Sequence, residues 1–330
     1  MGDLRPEEGG GGAVSLPVID LSLGRDEVSR AVLHAGKDIG FFQVINHGVP
    51  GDAIRGMEAL CEEYFAMPEE DRMGFYSEDN AKANRFFSGS TYDTGGAKLF
   101  LFDCLRLSSP FPIDDDSKNN WPHKPQTLRS DAARRDVVER FTVPTRAMAM
   151  ELLRLLCEAM GLPSDYFEGG LGTGNMTMTL NRYPACPDPG TMMGLPPHCD
   201  RNLLSLLLPS AVPGLQFSHK GKWTDVVTLP NAYIVNFGLP LEVVTNGVLK
   251  SIEHRVVTNP TRTRMSVGVF ITPTPNCLIG PAEEFLGEEN PARYHAVTFN
   301  EFYRLHSIVK HGLSSVLTIN RHENIGKEML

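Results

Sequence analysis

The sequence has no long apolar run and no cluster of basic residues. No hydrophobic stretch reaches the roughly 18 residues that a membrane-spanning helix requires. The net charge of −9 and the lack of a Lys/Arg block argue against binding nucleic acid through its phosphates. The beginning of the chain also lacks the apolar segment and cleavage site of a secretory signal. We therefore expect a cytoplasmic protein that binds neither a membrane nor nucleic acid.

Paired cysteines are absent as well. The six cysteines are spread over the chain and form no CxxC pair, so we expect free thiols and neither a disulfide framework nor a thiolate zinc site. What the sequence does contain is ordinary globular composition, with 41% hydrophobic residues in a chain of 330. That content is enough for a sizeable buried core.

The first third of the chain combines helical patterns with short strands. Strand patterns at 16–22 and 41–46 flank a helix over 26–39, which is predicted from apolar residues at helical spacing. A second helix is predicted over 51–66 by the same criterion. Gly and Glu dominate residues 1–15, which we expect to form a disordered tail.

The segment from residue 80 to 130 contains Gly, Ser and Pro, and it predicts loops and short strands. A long apolar helix is expected over 131–161, in which Pro144 should cause a kink or a break. We therefore expect residues 16–170 to form a mostly helical region that packs on the rest of the chain.

From about residue 175 the pattern changes to short β-rich segments separated by Gly, Pro and Asn. Several short strands at this spacing predict a sandwich or a barrel. We expect residues 171–330 to form this β core and to include a helix over 299–310. The predicted strands are 176–183, 203–208, 215–219, 223–227, 233–237, 251–258 and 265–272.

Three residues in the β-rich half have the chemistry of a metal site. His198 and Asp200 are two residues apart, so on a strand their side chains point to the same face. His254 offers a third ligand from another strand. Two imidazoles and one carboxylate on one side of an octahedral ion leave three positions open, as in non-haem Fe(II) oxygenases. A lone His-x-Asp often arises by chance, and a histidine in a strand is more often a packing or surface residue.

A second group of residues favours the metal interpretation. Arg264 and Ser266 share a strand face, and a guanidinium with a neighbouring hydroxyl binds a carboxylate well. Asn181 and Tyr183 share another face, and a phenol beside Arg264 would complete a site for the tail of a dicarboxylate. A lone arginine is more often part of a surface salt bridge. Arg264 therefore indicates a carboxylate site only in combination with its neighbours and with the three candidate metal ligands.

These motifs resemble those of the plant 2-oxoglutarate- and Fe(II)-dependent dioxygenases. Within that family the chain is most similar to the mugineic-acid-forming dioxygenases of grasses and, more distantly, to hyoscyamine 6-hydroxylase. The matching segments follow the family's order from residue 16 onward and include Gly40-Phe-Phe-Gln-Val-Ile-Asn-His-Gly48, Asn181-Arg-Tyr-Pro184, Pro197-His-Cys-Asp200, Val235-Asn-Phe-Gly238, His254-Arg-Val256 and Arg264-Met-Ser266.

The resemblance implies a fold, cofactors and residue roles. The fold would be mainly β with flanking helices, built on a double-stranded β-helix or jelly-roll core. Fe(II), 2-oxoglutarate and O2 would be required, with ascorbate as a supporting reductant. His198, Asp200 and His254 would hold the iron. The cosubstrate would contact Arg264, Ser266 and Tyr183 at its distal carboxylate and Asn181 at its iron-side carboxylate.

The resemblance also implies a small-molecule hydroxylase that releases succinate and CO2, and we expect a monomer. Candidate substrate contacts are Phe270, Arg201, Tyr92 and Phe102, although the aromatic residues are equally compatible with a core and Arg201 with solvent exposure. A carboxylated amine such as deoxymugineic acid fits Arg201. An indole, phenolic, flavonoid or alkaloid remains open, as do a 2-oxoglutarate-independent Fe(II) oxidase, a non-catalytic jelly-roll binding protein and a protein-modifying oxygenase.

Two residues depart from the family pattern. Cys199 lies between the two metal ligands where many relatives have Thr or Ser, and we expect it to be a compact core residue. Leu239-Pro240 follows Gly238 where relatives usually have a polar residue, so the exit of the strand near the metal is expected to differ.

Overall fold

Two β-sheets face each other, and helices cover the outer face of the larger sheet. The computed structural model describes residues 15–89, 99–129 and 136–305. Its strands are β1 (Val18–Asp20), β2 (Phe41–Ile45), β3 (Arg85–Ser88), β4 (Leu99–Phe100), β5 (Asp103–Ser109), β6 (Met176–Tyr183), β7 (Met192–His198), β8 (Leu204–Leu208), β9 (Leu215–His219), β10 (Lys222–Asp225), β11 (Tyr233–Phe237), β12 (His254–Val257), β13 (Arg264–Ile271), β14 (Leu278–Ile279) and β15 (Val297–Thr298).

The described helices lie between and after these strands. They are α1 (Arg25–Asp38), α2 (Gly51–Ala66), α3 (Glu69–Met73), α4 (Asp115–Asn119), α5 (Gln126–Arg129), α6 (Asp136–Met160), α7 (Leu239–Val244) and α8 (Phe299–Leu305).

The strand order gives a jelly-roll core. Within the described residues the larger sheet runs β1-β2-β11-β8-β13-β6-β5-β3, and the smaller sheet runs β10-β9-β12-β7-β4. Most neighbouring strands are antiparallel, and they are far apart in the chain, because the chain crosses repeatedly between the sheets. The expected fold class, mainly β with flanking helices and a jelly-roll core, is confirmed.

The central strand β13 shows how the sequence divides the two faces of the larger sheet. Val267, Val269 and Ile271 belong to the core that packs against α1, α2 and α6. Arg264 and Ser266 alternate with them and therefore point to the opposite face, toward the smaller sheet. One face of the strand thus stabilises the fold by apolar burial, while the other carries polar groups into the space between the sheets.

A smaller apolar core fills part of the space between the sheets. Phe41 and Tyr183 come from the larger sheet, whereas Phe217 and Val256 come from the smaller one. These side chains are almost fully buried, and the Phe41 and Phe217 rings stack with centroids 6.3 Å apart. This core fixes the separation of the sheets next to the polar groups.

Pro144 does not divide α6, which runs without interruption from Asp136 to Met160. The helix packs against α1 and α2 and carries much of the core, so tertiary packing compensates for the hydrogen bond that a proline removes. The part of the sequence prediction that expected a break is therefore wrong.

Several sequence-based boundaries agree closely with the structure, and others differ. The helix over 51–66 and the strands over 176–183, 215–219 and 233–237 coincide with α2, β6, β9 and β11. Strand β7 and helix α7 were not predicted. The first half of the chain contributes β1, β2, β3 and β5 to the larger sheet, so it supplies strands as well as helices.

Residues 1–14 of the tail expected over 1–15, Tyr92, and residues 306–310 of the last predicted helix lie outside the described residues. In the described part, no helix has the length and apolarity needed to cross a membrane. All six cysteines are free, as the spacing predicted.

Candidate active site

Two neighbouring strands of the smaller sheet bring the two imidazoles together. His198 is the last residue of β7 and pairs in register with His254, the first residue of β12. The ring centroids are 4.2 Å apart, and both residues are buried. The pairing of β7 with β12 therefore brings His198 and His254 together, although the spacing of these residues in the sequence does not show that they meet.

Asp200 reaches the same point from the loop that follows β7. Its Oδ1 atom lies 3.6 Å from Nε2 of His198 and 3.7 Å from Nε2 of His254. The sequence argument placed His198 and Asp200 on one continuous strand, and this detail is wrong because β7 ends at His198. The backbone turns there, and the Asp200 carbonyl accepts a hydrogen bond of 2.8 Å from the amide of Leu239.

The other carboxylate oxygen of Asp200 is held by two buried side chains. Oδ2 accepts a hydrogen bond of 2.7 Å from Nδ2 of Asn236 on β11 and another from the hydroxyl of Ser205 on β8. Asn236 and Ser205 are 4% and 3% exposed, so their polar groups have little access to solvent. The larger sheet thus orients the carboxylate so that Oδ1 faces the imidazoles.

Both imidazoles are oriented by backbone carbonyls. Nδ1 of His198 lies 2.8 Å from the carbonyl of Pro196, and Nδ1 of His254 lies 3.3 Å from that of Ile252. A carbonyl can only accept, so Nδ1 is the donor in each ring and Nε2 faces Asp200. The two rings therefore present Nε2, the atom available to bind a metal ion.

The charge state of the cluster favours the binding of a cation. Burial and the proximity of His254 lower the pKa of His198 to about 4. Burial acts to raise the pKa of Asp200, but His254, His198 and the hydrogen bonds from Asn236 and Ser205 outweigh it and hold that pKa below its usual value. The cluster is thus a neutral imidazole beside an ionised carboxylate.

This donor set fits Fe(II). The three ligand atoms lie within 4.8 Å of one another, and every other polar atom of the three side chains already has a partner. Two imidazole nitrogens and one carboxylate oxygen on one side of an ion are the donors typical of non-haem iron oxygenases. The chemistry of the residues therefore agrees with the metal that the sequence implied.

A buried guanidinium lies on the opposite sheet. Arg264 is 3% exposed, and its Nη1 donates to Oγ of Ser266 at 3.3 Å. Its buried Nε has no hydrogen-bond partner, and no acidic side chain among the described residues pairs with it. A buried cation without a counterion is costly, so this site calls for an anionic ligand. The alternative of a surface salt bridge does not apply.

Tyr183 and Asn181 lie directly across from this arginine and serine. The register of β6 and β13 pairs Tyr183 with Arg264 and Asn181 with Ser266. The Arg264 guanidinium carbon is 5.2 Å from the Tyr183 ring centroid, and burial raises the pKa of Tyr183 to about 12, so the phenol is neutral and can donate. Nδ2 of Asn181 donates to Oγ1 of Thr179 at 3.0 Å.

The side chain of Arg264 crosses toward the smaller sheet. A Cβ atom built on Gly214 would lie 2.7 Å from the carbonyl oxygen of Val257 and 3.3 Å from Cδ of Arg264, so a larger residue here would clash with β12 and press on the guanidinium stem. The carbonyl of Gly214 accepts a hydrogen bond of 2.8 Å from Val257, which is three residues along β12 from His254. Three residues of strand measure about 10 Å. The stem of Arg264 therefore lies near β12, about three strand residues from His254.

The four residues that were predicted to contact the substrate do not share one environment. Phe270 shares the inner face of β13 with Arg264 and is partly exposed, and a Cβ atom on Gly268 would meet its ring at 2.9 Å. Phe102 is 4% exposed and packs on Phe87 and Tyr183. Arg201 stacks on Tyr303 of α8, and Tyr92 lies outside the described residues.

Comparison with known proteins agrees with this geometry. A model of the 2OG-Fe(II) oxygenase superfamily matches residues 174–273, which contain all the residues of the metal and arginine sites. A second model, of the non-haem dioxygenase N-terminal region known from morphine synthesis, matches residues 16–124. The 2'-deoxymugineic-acid 2'-dioxygenase of Hordeum vulgare is 56% identical over 96% of this chain and 91% of its own length.

The chain belongs to the 2-oxoglutarate- and Fe(II)-dependent oxygenase superfamily.

Further comparisons agree with this assignment of the oxygenase. The mugineic-acid 3-dioxygenase of Hordeum vulgare is 47% identical over 94% of this chain and 90% of its own. The crystal structure of JOX2 in complex with 2OG, Fe and JA superimposes with a TM-score of 0.79 at 30% identity, covering 92% of this chain and 87% of that one. The resemblance to mugineic-acid-forming enzymes is confirmed, as is the more distant one to hyoscyamine 6-dioxygenase of Hyoscyamus niger, at 36% identity over 87% of this chain and 84% of that enzyme.

The oxygenase is thus a 2-oxoglutarate-dependent Fe(II) dioxygenase that hydroxylates a small molecule and releases succinate and CO2. The alternatives of a 2-oxoglutarate-independent oxidase and a non-catalytic binding protein are not favoured.

Sequence reasoning did not identify Ser205 and Asn236 as partners of Asp200. Both are polar residues inside otherwise apolar strands, Leu204–Leu208 and Tyr233–Phe237. A buried polar side chain in such a strand requires a hydrogen-bond partner, and this was the available signal. The two departures from the family pattern leave the ligands in place: Cys199 packs beside α7 and α8, and Leu239-Pro240 begins α7.

Proposed function

We propose that His198, Asp200 and His254 bind Fe(II) in the oxygenase. The observation that carries this proposal is the convergence of two Nε2 atoms and one Oδ1 atom, whose other polar atoms are all engaged. When bound there, the iron and 2-oxoglutarate together supply the activation of O2 and the oxidative decarboxylation of the cosubstrate.

Arg264, Ser266 and Tyr183 bind the distal carboxylate of 2-oxoglutarate, and Asn181 contacts the carboxylate near the iron. Support comes from the burial of Arg264 without an acidic partner and from the neutral phenol opposite it. A guanidinium fork and two hydroxyl donors match the geometry of a carboxylate. Because these groups are buried, they hold the cosubstrate in one orientation before the substrate binds.

The protein's own residues then have positioning roles. Asn236 and Ser205 hold Asp200 by its Oδ2 atom, and the carbonyls of Pro196 and Ile252 hold the imidazole protons. Phe270, which lies on the inner face of β13 and is partly exposed, provides apolar surface on the substrate side. Water is thereby kept from the reacting centre, and the target C–H bond is held near the metal.

The substrate is a carboxylated amine, and 2'-deoxymugineic acid is the first candidate. The proposal rests on the 56% identity with the dioxygenase named for that acid, and mugineic acid is the second candidate because of the 47% relative. Arg201 follows the ligand Asp200 directly and provides a positive charge for a substrate carboxylate.

The test is turnover of purified enzyme with Fe(II), 2-oxoglutarate, ascorbate and O2. With 2'-deoxymugineic acid we expect one succinate per product and a product heavier by one oxygen atom in mass spectrometry. Turnover that does not depend on 2-oxoglutarate would reject the reaction. Failure of both acids, together with turnover of an indole or phenolic, would reject the substrate while leaving the reaction intact.

Three broader expectations remain proposals. Residues 16–170 act as an N-terminal region and residues 171–330 as the catalytic core. The free state of all six cysteines supports work in a reducing compartment, the cytoplasm. The oxygenase works as a monomer that binds no nucleic acid.

A further inference from the structure

Hydrogen bonds from other parts of the chain hold the segment that leads into His254. Ser251 lies three residues before this ligand, and its amide donates to Oε2 of Glu242 at 2.7 Å. The Ser251 carbonyl accepts from the thiol of Cys199 at 3.6 Å, and the next carbonyl, that of Ile252, accepts from Nδ1 of His254 at 3.3 Å. The path of the backbone into the metal site therefore depends on the groups that hold Ser251.

Glu242 belongs to α7, a helix that also supports the loop of another metal ligand. The amide of Leu239, the first residue of α7, donates to the carbonyl of Asp200 at 2.8 Å. Glu242 lies three residues further along the helix, a rise of about 4.5 Å. One short helix thus holds the loop of Asp200 by its first amide and the segment of His254 by a carboxylate.

The helix α7 is packed on two sides. Leu241 and Val244 are almost fully buried in the core that lies under the larger sheet. Leu239 and Val243 are equally buried in a separate apolar cluster that includes residues of α8. Because close packing on both sides leaves the helix little room to shift, Glu242 is presented to Ser251 from a fixed position.

The second carboxylate oxygen of Glu242 is also engaged. Oε1 accepts a hydrogen bond of 3.0 Å from the hydroxyl of Tyr294, which is 4% exposed. Burial and the carboxylate of Glu242 raise the pKa of Tyr294, so the phenol stays protonated and donates. None of the salt bridges between described residues involves Glu242. Two neutral donors therefore orient this carboxylate.

We propose that Glu242 is a positioning residue that fixes His254 relative to Asp200 in the metal site. This proposal deepens the proposed function and rests on the assignment of the three metal ligands. A fixed acceptor for the Ser251 amide restricts the segment before β12, so the imidazole loses less freedom when the metal binds. The thiol of Cys199 supports the same link from the side of the Asp200 loop.

The experiment measures Fe(II) Kd by titration under argon and the thermal unfolding of the metal-free enzyme. Glu242→Met keeps the length of the side chain but offers no oxygen to the Ser251 amide, so we expect the Fe(II) Kd to rise about tenfold. Glu242→Ala lacks the acceptor too and should give the same loss. Glu242→Gln should stay within about twofold of wild type, because its carbonyl oxygen accepts from Ser251 and its amide can donate to the Tyr294 hydroxyl.

Two further variants separate positioning from a general structural role. Asn246→Ala is the matched control, because Asn246 follows α7 and binds the carbonyls of Asn290 and Pro291, not Ser251. It should lower the unfolding temperature and leave the Fe(II) Kd unchanged. Tyr294→Phe removes only the hydrogen bond to Oε1, so it should raise the Fe(II) Kd less than Glu242→Met does.

The possible failures are distinguishable. If wild-type enzyme binds Fe(II) no more tightly than Asp200→Ala, the metal site of the proposed function fails and this inference fails with it. If wild type binds Fe(II) at that site and Glu242→Met and Glu242→Ala bind it equally well, only the role of Glu242 is overturned. A loss in Glu242→Gln, Tyr294→Phe or Asn246→Ala as large as that in Glu242→Met would also overturn it, because the acceptor for Ser251 would then not be the cause.

Discussion

Asn236 donates a hydrogen bond of 2.7 Å to Oδ2 of Asp200, the oxygen that faces away from the two imidazoles. The asparagine belongs to the larger sheet, whereas His198 and His254 belong to the smaller one. The metal-binding geometry therefore depends on both sheets, although the sequence motif lies within one of them.

Asn236→Ala should weaken Fe(II) binding about 10- to 100-fold, because an unsupported carboxylate is free to rotate away from the metal. The measurement is metal affinity by titration under argon. Asn246→Ala is a matched control, since Asn246 is equally buried but bonds to the carbonyls of Asn290 and Pro291. The control should lower thermal stability and keep metal affinity, and equal metal affinity in both variants would contradict the role of Asn236.

Asp200→Ala should abolish substrate-dependent succinate formation, because it removes the anionic ligand and leaves Asn236 and Ser205 without their acceptor. Turnover should fall by about a thousandfold or more, and bound iron should be lost. Near-normal succinate formation in a folded, purified variant would reject the metal site.

Arg264→Ala should raise the KM for 2-oxoglutarate about 10- to 100-fold, because charge-assisted hydrogen bonds to a carboxylate each contribute about 1.5 to 3 kcal/mol. The KM for the organic substrate should change little. Arg262 is exposed and only two residues away, so Arg262→Ala is the matched control. An unchanged KM for 2-oxoglutarate in Arg264→Ala would place the cosubstrate elsewhere.

The metal-free enzyme should lose stability as the pH falls from about 6.5 to about 4. Burial and His254 lower the pKa of His198 to about 4, whereas an unfolded histidine titrates near 6.5. Between these values the unfolded chain binds more protons, so the free energy of unfolding decreases with decreasing pH and levels off below that range. Urea unfolding with a chelator should show this loss in wild type and in His295→Gln, and a smaller loss in His198→Gln.

Gly238→Ala should destabilise the fold by about 2 kcal/mol or more, because the added methyl group would overlap the carbonyl of Asn202 and approach that of Asp200. Metal affinity should fall with it, since this contact supports the ligand loop. Gly287 has nothing within 4 Å of an added Cβ atom, so Gly287→Ala should leave both properties unchanged. Thermal unfolding and metal titration test the pair.

Strand β7 shows why part of the fold could not be predicted from the sequence. Pro196 and Pro197 sit inside it, and proline normally argues against an inner strand. In the structure the register of β7 and β12 shifts between the His254–His198 and Val256–Leu195 pairs, and this irregularity accommodates residues that cannot donate to the ladder. Strands such as β6, β9 and β11 have no proline, and their predicted limits coincide with the structure.

Those residues of the candidate site that belong to sequence motifs could be predicted. Those that join the site only through tertiary contacts could not. His198, Asp200, His254 and Arg264 were recognised from residue type, spacing and family resemblance. Asn236 is 36 residues from Asp200, so no local pattern links the two. Its role follows only from the crossings of the chain between the two sheets.

The guanidinium of Arg264 comes from the larger sheet and the imidazoles of His198 and His254 from the smaller one, so the distance between them depends on how far apart the two sheets lie. The stacked rings of Phe41 and Phe217 lie between the sheets, and Phe217 also pairs in register with His254. A smaller side chain at Phe217 should therefore change the length of dicarboxylate that the enzyme prefers as cosubstrate.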